Sequence, residues 1–286
     1  TDLLLAARLL RAGELVAVPT ETVYGLAADA LNTDAVLRIY KVKQRPQFNP
    51  LIMHIGHTDQ LFRYATDIPP AAMKLAEAFW PGPLTLLLPR RTVVPELVTA
   101  GSSRVAIRMP AHPLTLQLLQ MLDMPLAAPS ANPSGYVSPT TATHVLRNLS
   151  GQIPYILDGG ACVVGIESTI IGWNEQQHPV LYRNGGLGKE QIETVLGEKL
   201  LEKPIHNAAP ETPGQLKSHY ATHTPLYLLH DDKAPVFDQE NKVACIRFNT
   251  YDKAYPKEWQ LILSPSGTVD EAAANLFRLL READDM

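Results

Sequence analysis

The sequence predicts an α/β protein: a twisted, mixed, open sheet flanked by helices, followed by a smaller α/β unit. Three observations carry this. Short apolar runs of strand length alternate with segments of helical period as far as residue 196. Several of those runs lie too close together for a helical crossover, so some pairing must be antiparallel and the sheet mixed. Periodicity then fails over residues 202–225, where Pro204, Pro210, Pro213 and Pro225 fall, and returns from residue 226 onward. The expected organisation is a first unit at 1–201, a linker at 202–225 and a small C-terminal unit at 226–286.

Residues 2–12 carry leucine and alanine at helical spacing and stop at Gly13, where a C-cap glycine belongs. Residues 15–18 read as a buried strand. Pro19 ends it, and Thr20, Glu21 and Thr22 follow at its carboxyl end, where open α/β sheets place ligands; Thr20 or Thr22 would equally serve as an ordinary helix cap. Residues 32–43 form a helix with Val36, Ile39 and Tyr40 inward, and LIMHI (51–55) forms a strand. A helix over 70–80 starts at Pro69 and Pro70 and closes in the turn WPGP (80–83), ahead of the strand LTLLL (84–88). Residues 98–110 pass from turn to strand and set Arg104 and Arg108 on one strand face. A helix over 112–122, a short core strand over 126–128 and a helix over 138–148 follow. Strands are expected at 155–160, 166–173 and 180–186, then a helix at 189–196. In the last unit TPLYLL, KVACIRF and QLILSPS read as strands. The final segment reads as a helix capped by Thr268, with Asp270 and Glu271 in its first turn.

Composition narrows the function classes. The 286 residues are 45% hydrophobic and 19% charged, with a formal net charge of −4, an ordinary globular balance without the broad basic face of most nucleic-acid binders. Cys162 and Cys245 are the two cysteines, far apart and without metal-ligand spacing, which points to a reducing compartment and to no structural zinc. No apolar run approaches the ~18 residues of a membrane span, and the first residues lack a signal peptide's basic lead. A cytoplasmic, unanchored protein is expected.

The polar chemistry concentrates in a few stretches. No acidic residue lies between Asp34 and Asp59, so Arg38, Lys41, Lys43 and Arg45 make a local positive field suited to a compact anion such as a nucleotide phosphate. The same stretch fits a solvated basic helix end. Arg45 has the fork that grips phosphate with two parallel bonds, while Lys43 is a point charge. His54 alternates with Ile52 on the strand face opposite Leu51, Met53 and Ile55, and also suits a structural role. Arg108 emerges from an apolar strand and needs an anionic partner, either a protein carboxylate or a ligand's. Ser130, Asn132, Ser134 and Gly135 form a turn that can present N–H groups and oxygens to phosphate, or is simply a turn. No GxxxxGK[ST] occurs, which disfavours an ordinary P-loop nucleotidase. His219, Tyr220 and His223 are unusual in a spacer and suggest that the linker docks.

Taken in order, PTETVYGLAADA, KVKQRPQFNPLIMHI, FWPGPLTLLL, VAIRMPAHP, APSANPSG and GIESTIIGW resemble the YrdC-like threonylcarbamoyl-adenylate synthases over about residues 5–200. PGQLKSHYATHTP (213–225) resembles the linker signature of the two-domain form, with Gln215 where Met is usual and Thr222 where Pro is usual. The resemblance implies a YrdC-like sheet and a Rossmann-like C-terminal domain that looks shortened, since two-domain relatives generally continue past NLFRLLREAD with a further strand and helix. It implies that L-threonine, bicarbonate and ATP give threonylcarbamoyladenylate and pyrophosphate, the product passing to the machinery that modifies tRNA adenosine beside the anticodon. Thr22, His54, Arg108, Ala128 and Ser168 would surround threonine. Arg45, Asn49, Ser130, Ser138 and Arg183 would hold ATP, Lys43 and Asn132 would complete the phosphate site, and Tyr220 would close over the nucleotide. Lys43 and Arg45 are the expected catalytic pair. Mg²⁺ would accompany ATP without a dedicated carboxylate cage, so no protein metal site is expected.

Two other functions compete. A non-catalytic RNA-binding module would use a groove of Lys43, Arg45, Arg104 and Arg108, but overall acidity and the lack of interleaved aromatic residues oppose direct RNA binding. A carbamoyl-transfer enzyme of hydrogenase maturation shares a similar domain, but needs zinc-finger cysteines that two isolated cysteines cannot supply.

Overall fold

The computed structural model describes residues 2–202, 212–213, 220–228, 243–253 and 255–286. Helix α1 (Leu3–Arg11) starts where the Asp2 carboxylate accepts from the Leu5 N–H at 2.9 Å, and Gly13 at φ 77° ends it. Strand β1 (Val16–Val18) folds back on β2 (Gly25–Asp29) as an antiparallel pair. Helix α2 (Thr33–Lys43) is capped by the Asn32 side chain and delivers Lys43 and Arg45 to the loop ahead of β3 (Ile52–His54). The short α3 (Leu61–Tyr64) and then α4 (Pro70–Phe79), with proline at its first position, lead into β4 (Leu84–Pro89). After α5 (Glu96–Thr99) come β5 (Arg104–Arg108), α6 (Pro113–Met121), β6 (Leu126–Ala127), α7 (Ala142–Leu149) and β7 (Tyr155–Ile156). Strands β8 (Thr169–Trp173) and β9 (Pro179–Arg183), helix α8 (Lys189–Leu196) and β10 (Leu201–Glu202) close the first unit.

These ten strands form one sheet in the order β10-β9-β8-β4-β5-β3-β6-β2-β1-β7. It is mixed, as the short connections require: β1–β2, β4–β5 and β8–β9 pair antiparallel, while β3–β5 and β4–β8 pair parallel. Alternation divides the faces. Met53, Leu86, Ile107 and Ile171 join the main core under α2 and α4, while Val16, Ala27 and Leu126 pack with α1 and α6. Ile52, Leu87, Ala106 and Ile170 form a smaller cluster on the reverse face. His54 and Arg108 are register partners on that reverse face at the carboxyl ends of β3 and β5, and Thr85 opposes Arg108 across β4.

The last unit pairs β11 (Cys245–Arg247) with β12 (Gln260–Ile262) in parallel and ends in α9 (Val269–Asp284), whose Thr268 hydroxyl accepts from the Glu271 N–H. Its Phe277 and Leu280 pack with Val23 and Val137 of the first unit.

Several expectations change. Residues 25–29, to which the sequence reading assigned no element, form β2, because hairpin pairing with β1 and close approach to β6 override the weak strand preference of glycine and alanine. The helix expected from 138 begins at Ala142, where Thr141 caps it; Pro139 and Thr140 stay extended so that their carbonyls accept from Tyr24 and Cys162. The strand expected at 155–160 stops at Ile156, since Gly159 and Gly160 turn to meet the Tyr24 hydroxyl. Residues 166–168 stay outside β8 and carry Glu167 and Ser168 into a loop. Residues 224–228 of the expected TPLYLL strand form none. His219 and most of the expected linker lie outside the described residues.

Candidate functional site

Thr20, Thr22, Val23, Gly25, Arg45, Ile52, His54, Arg108, Ala128, Pro129, Ser130, Glu167, Ser168, Arg183 and Pro213 line a cleft enclosing about 510 Å³ of empty space, counting its open mouth. It lies where β3, β5 and β9 end and β4 and β8 begin, the edge at which an open α/β sheet gathers loops around a ligand.

All five residues expected around threonine line this cleft. Arg108 is 4% exposed and heavily engaged: Nη2 donates to Glu21 at 2.6 Å, Nη1 to the Thr22 hydroxyl at 2.8 Å and Nε to the Gly82 carbonyl of the WPGP turn at 3.2 Å. The Ser168 and Thr85 hydroxyls share a hydrogen bond of 2.7 Å. His54 is buried and its Nδ1 has no hydrogen-bond partner among the described residues. Burial, and then the Arg108 charge, push its pKa down to about 3.

Of the residues expected around ATP, Arg45, Ser130 and Arg183 line the cleft and the others do not. Arg45 is braced by the Asn49 and Pro50 carbonyls at 3.1 and 2.8 Å, and burial lowers its pKa to about 10. Arg183 donates to the Ser168 carbonyl and hydroxyl and to the Pro213 carbonyl. Lys43 is 1% exposed; its ammonium donates to the Ser130 and Asn132 carbonyls at 2.5 Å each, and burial with the nearby Arg45 holds its pKa well below the lysine value. Among the described residues, Asn49 is buried with neither amide atom bonded, and the Asn132 side-chain oxygen is likewise unpartnered. Buried polar atoms left this way mark places where a water or ligand belongs. The Ser138 hydroxyl donates to Glu167 at 2.5 Å, and the half-buried Tyr220 hydroxyl bonds the same carboxylate.

Three polar residues were given no partner in the sequence reading. Glu21 anchors Arg108 and also accepts from the Ala111 N–H at 3.0 Å. Thr20 ties its loop with bonds to Val23 and Thr22. Glu167 joins Ser138 and Tyr220, on a loop against which Gly185 packs so closely that a Cβ would lie 2.3 Å from the Glu167 carbonyl. The available signal was the unpaired charge expected at Arg108. Arg104 shares no site with the other cations: at the far end of β5 it bonds the Tyr182 hydroxyl at 2.8 Å and lies over that ring. The basic groove of the RNA-binding alternative is therefore not assembled as expected.

The His54 shift sets a pH dependence. Its folded pKa is depressed, so its contribution is complete above the unfolded value near 6.5 and is lost as pH falls toward 3. From this group alone the protein is expected to be about 2 kcal/mol less stable at pH 5 than at pH 8. Urea unfolding of the unsubstituted chain and His54→Gln at both pH values checks it; equal acid losses in the two would refute the assignment.

A mixed sheet whose strand ends gather cations and hydroxyls around one cleft defines an α/β protein with a polar, cationic cleft at the sheet's edge. Comparison with known proteins specifies which. The family described as "Telomere recombination", the Sua5, YciO and YrdC proteins, matches residues 8–185, and "Threonylcarbamoyl-AMP synthase, C-terminal domain" matches residues 187–286. The threonylcarbamoyl-AMP synthase of Pyrococcus abyssi is 43% identical, covering 98% of this chain and 84% of the relative. That of Bacillus subtilis is 42% identical with the same coverage of each. The crystal structure of P. abyssi Sua5 complexed with L-threonine matches at a TM-score of 0.90 and 42% identity, over 99% of this chain and 86% of that one. The chain belongs to the threonylcarbamoyl-AMP synthase family.

Proposed function

We propose that the protein is a nucleotidyltransferase that makes L-threonylcarbamoyladenylate from L-threonine, bicarbonate and ATP, releasing pyrophosphate, as the first step of tRNA threonylcarbamoyladenosine formation. Family membership supports this reading, and the observation that carries it is one cleft holding Arg108, His54 and Ser168 beside Arg45, Ser130 and Arg183. In the first step the threonine ammonium gives up one proton to a base, its nitrogen bonds the bicarbonate carbon, and water leaves with a second proton to yield the carbamate. A carbamate oxygen then attacks the α-phosphorus as the bond to the bridging oxygen breaks and pyrophosphate departs. No covalent enzyme intermediate is needed, so positioning and charge neutralisation supply the rate enhancement.

Arg108 uses three of its five N–H donors on Glu21, Thr22 and Gly82, which leaves two for the threonine carboxylate. Neutral His54 would offer a ring nitrogen to threonine, within reach of Thr22 and Ser168. Arg45 and Arg183 would clamp phosphate, and the third donor of Lys43 would reach a phosphate oxygen from below. Asn49, Asn132, Ser138 and Tyr220 would complete the nucleotide side. Among the described residues no cluster of three or more His, Cys, Asp or Glu could hold a metal, so Mg²⁺ would enter on the triphosphate, where it neutralises charge. The product would pass to the tRNA threonylcarbamoyl-transfer machinery in the cytoplasm, with weak or no direct binding of RNA. Among the described residues no helix is long and apolar enough to cross a membrane.

Pyrophosphate release and an AMP adduct that require threonine, bicarbonate and ATP together are the expected assay result. Salt-sensitive RNA binding without any turnover would instead favour the RNA-binding module.

A further inference from the structure

We propose that Asp284, in the last turn of α9, is a positioning residue for adenylate formation: it fastens residues 220–224 of the chain, and the loop from Asn132 to Ser138, to one another beside the nucleotide side of the cleft. This rests on the reading given under Proposed function and assigns the C-terminal helix a part in it.

The Asp284 side chain is 2% exposed and sits at a junction of three segments. It accepts from the Tyr136 hydroxyl at 2.9 Å, from the His223 N–H at 3.1 Å and from the Thr224 N–H at 2.7 Å, and the His223 Nδ1 lies 2.9 Å away. Burial opposes its charge, and the bonds from Thr224, His223 and Tyr136 outweigh that, holding the carboxyl well below its ordinary range. Each donor leads back to the cleft. Tyr136 lies between Asn132 and Ser138, and its carbonyl accepts from the Asn132 side chain at 2.8 Å. Its ring lies 4.5 Å from the His223 ring and under the Arg281 guanidinium at 4.7 Å. The Ala221 N–H donates to the Gly135 carbonyl at 2.8 Å, and next to it Tyr220 stacks on Phe277 at 5.1 Å and bonds Glu167. Arg281, one turn earlier on α9, donates to the Val137 and Ser138 carbonyls.

His54 and Arg108 are held by β3 and β5, and Thr22 by Arg108 and Thr20, while α9 touches this side through the packing of Phe277 and Leu280 on Val23, which Asp284→Asn leaves in place. Loosening the junction at Asp284 therefore acts chiefly on the nucleotide side, which separates a positioning role from general support of the fold.

The test is steady-state pyrophosphate release by the full chain with each substrate varied in turn. Asp284→Asn is expected to lower kcat/KM for ATP about tenfold and to leave the KM for threonine within about twofold. In a Tyr220→Ala background the same substitution is expected to change kcat/KM for ATP by less than about twofold, because the strap through which it acts is already cut. Equal losses for both substrates, no loss, or a full loss persisting in the Tyr220→Ala background would overturn the proposal. If Asp284→Asn does not fold, His223→Ala, which removes one partner and leaves α9 intact, is read by the same criteria. An unsubstituted chain that releases no pyrophosphate sinks the synthase reading and this proposal with it. An active one that Asp284→Asn leaves unchanged sinks the proposal alone.

Discussion

Arg108→Ala is expected to abolish threonine binding and to weaken the folded state by about 3–5 kcal/mol, the range for removing one partner of a buried ion pair. Glu21 is 6% exposed and would be left beside a cavity without its cationic partner, with the Ala111 N–H at 3.0 Å still donating to it. Three segments also lose their common tie, because the guanidinium joins the Glu21–Thr22 loop, the turn at Gly82 and the end of β5. The single variant cannot separate these effects, and a double one can. Arg108→Met with Glu21→Gln removes both charges at similar volume, a change that is often neutral for stability. Its urea midpoint is expected to return close to that of the unsubstituted chain while calorimetric titration still detects no threonine. Recovery of threonine affinity along with stability would show that Arg108 serves the fold and not the ligand.

What could be read from the sequence follows from the range of the forces involved. Most helix limits were legible because their signals are local: Gly13, Pro70 and Thr268 each act within a few residues of the end they set, whereas the helix placed from 138 starts at Ala142. Strand β2 was not, since glycine and alanine gain their strand geometry only from pairing with β1 and β6. The same division runs through the site. Cationic and hydroxyl-bearing loops announce themselves one by one, and Thr22, Arg45, His54, Arg108, Ser168 and Arg183 do meet in one cleft. The partner that a buried charge chooses is a tertiary fact: Glu21 stands 87 positions from Arg108, and Glu167 stands 29 from Ser138. No periodicity shows that Asp284 ends beside Tyr136, 148 positions away. Nor did the basic run show that Lys43 is buried while Arg45 reaches the cleft.

That burial sets the second large effect. Lys43→Met keeps the aliphatic stem and removes the ammonium, so the Ser130 and Asn132 carbonyls lose the donor that holds their loop at 2.5 Å. Turnover is expected to fall about 10²–10³-fold, the usual loss when one preorganised charge is taken from a reacting phosphate, with threonine affinity retained. Quenched pyrophosphate assays and threonine titration check the two halves. The pH behaviour is more diagnostic. Burial and Arg45 depress the Lys43 pKa, so the folded chain binds fewer protons than the unfolded one between that lowered value and about 10.5. Across this window its contribution to stability rises with pH, while the charge available to phosphate is lost over the same window. ATP brings negative charge and pulls the pKa back up, so binding must take up a proton. ATP affinity is therefore expected to decline with rising pH below the ordinary lysine range in the unsubstituted chain and to lose that decline in Lys43→Met. Parallel profiles in the two proteins would remove Lys43 from the phosphate site and leave it only the bracing of residues 130–132.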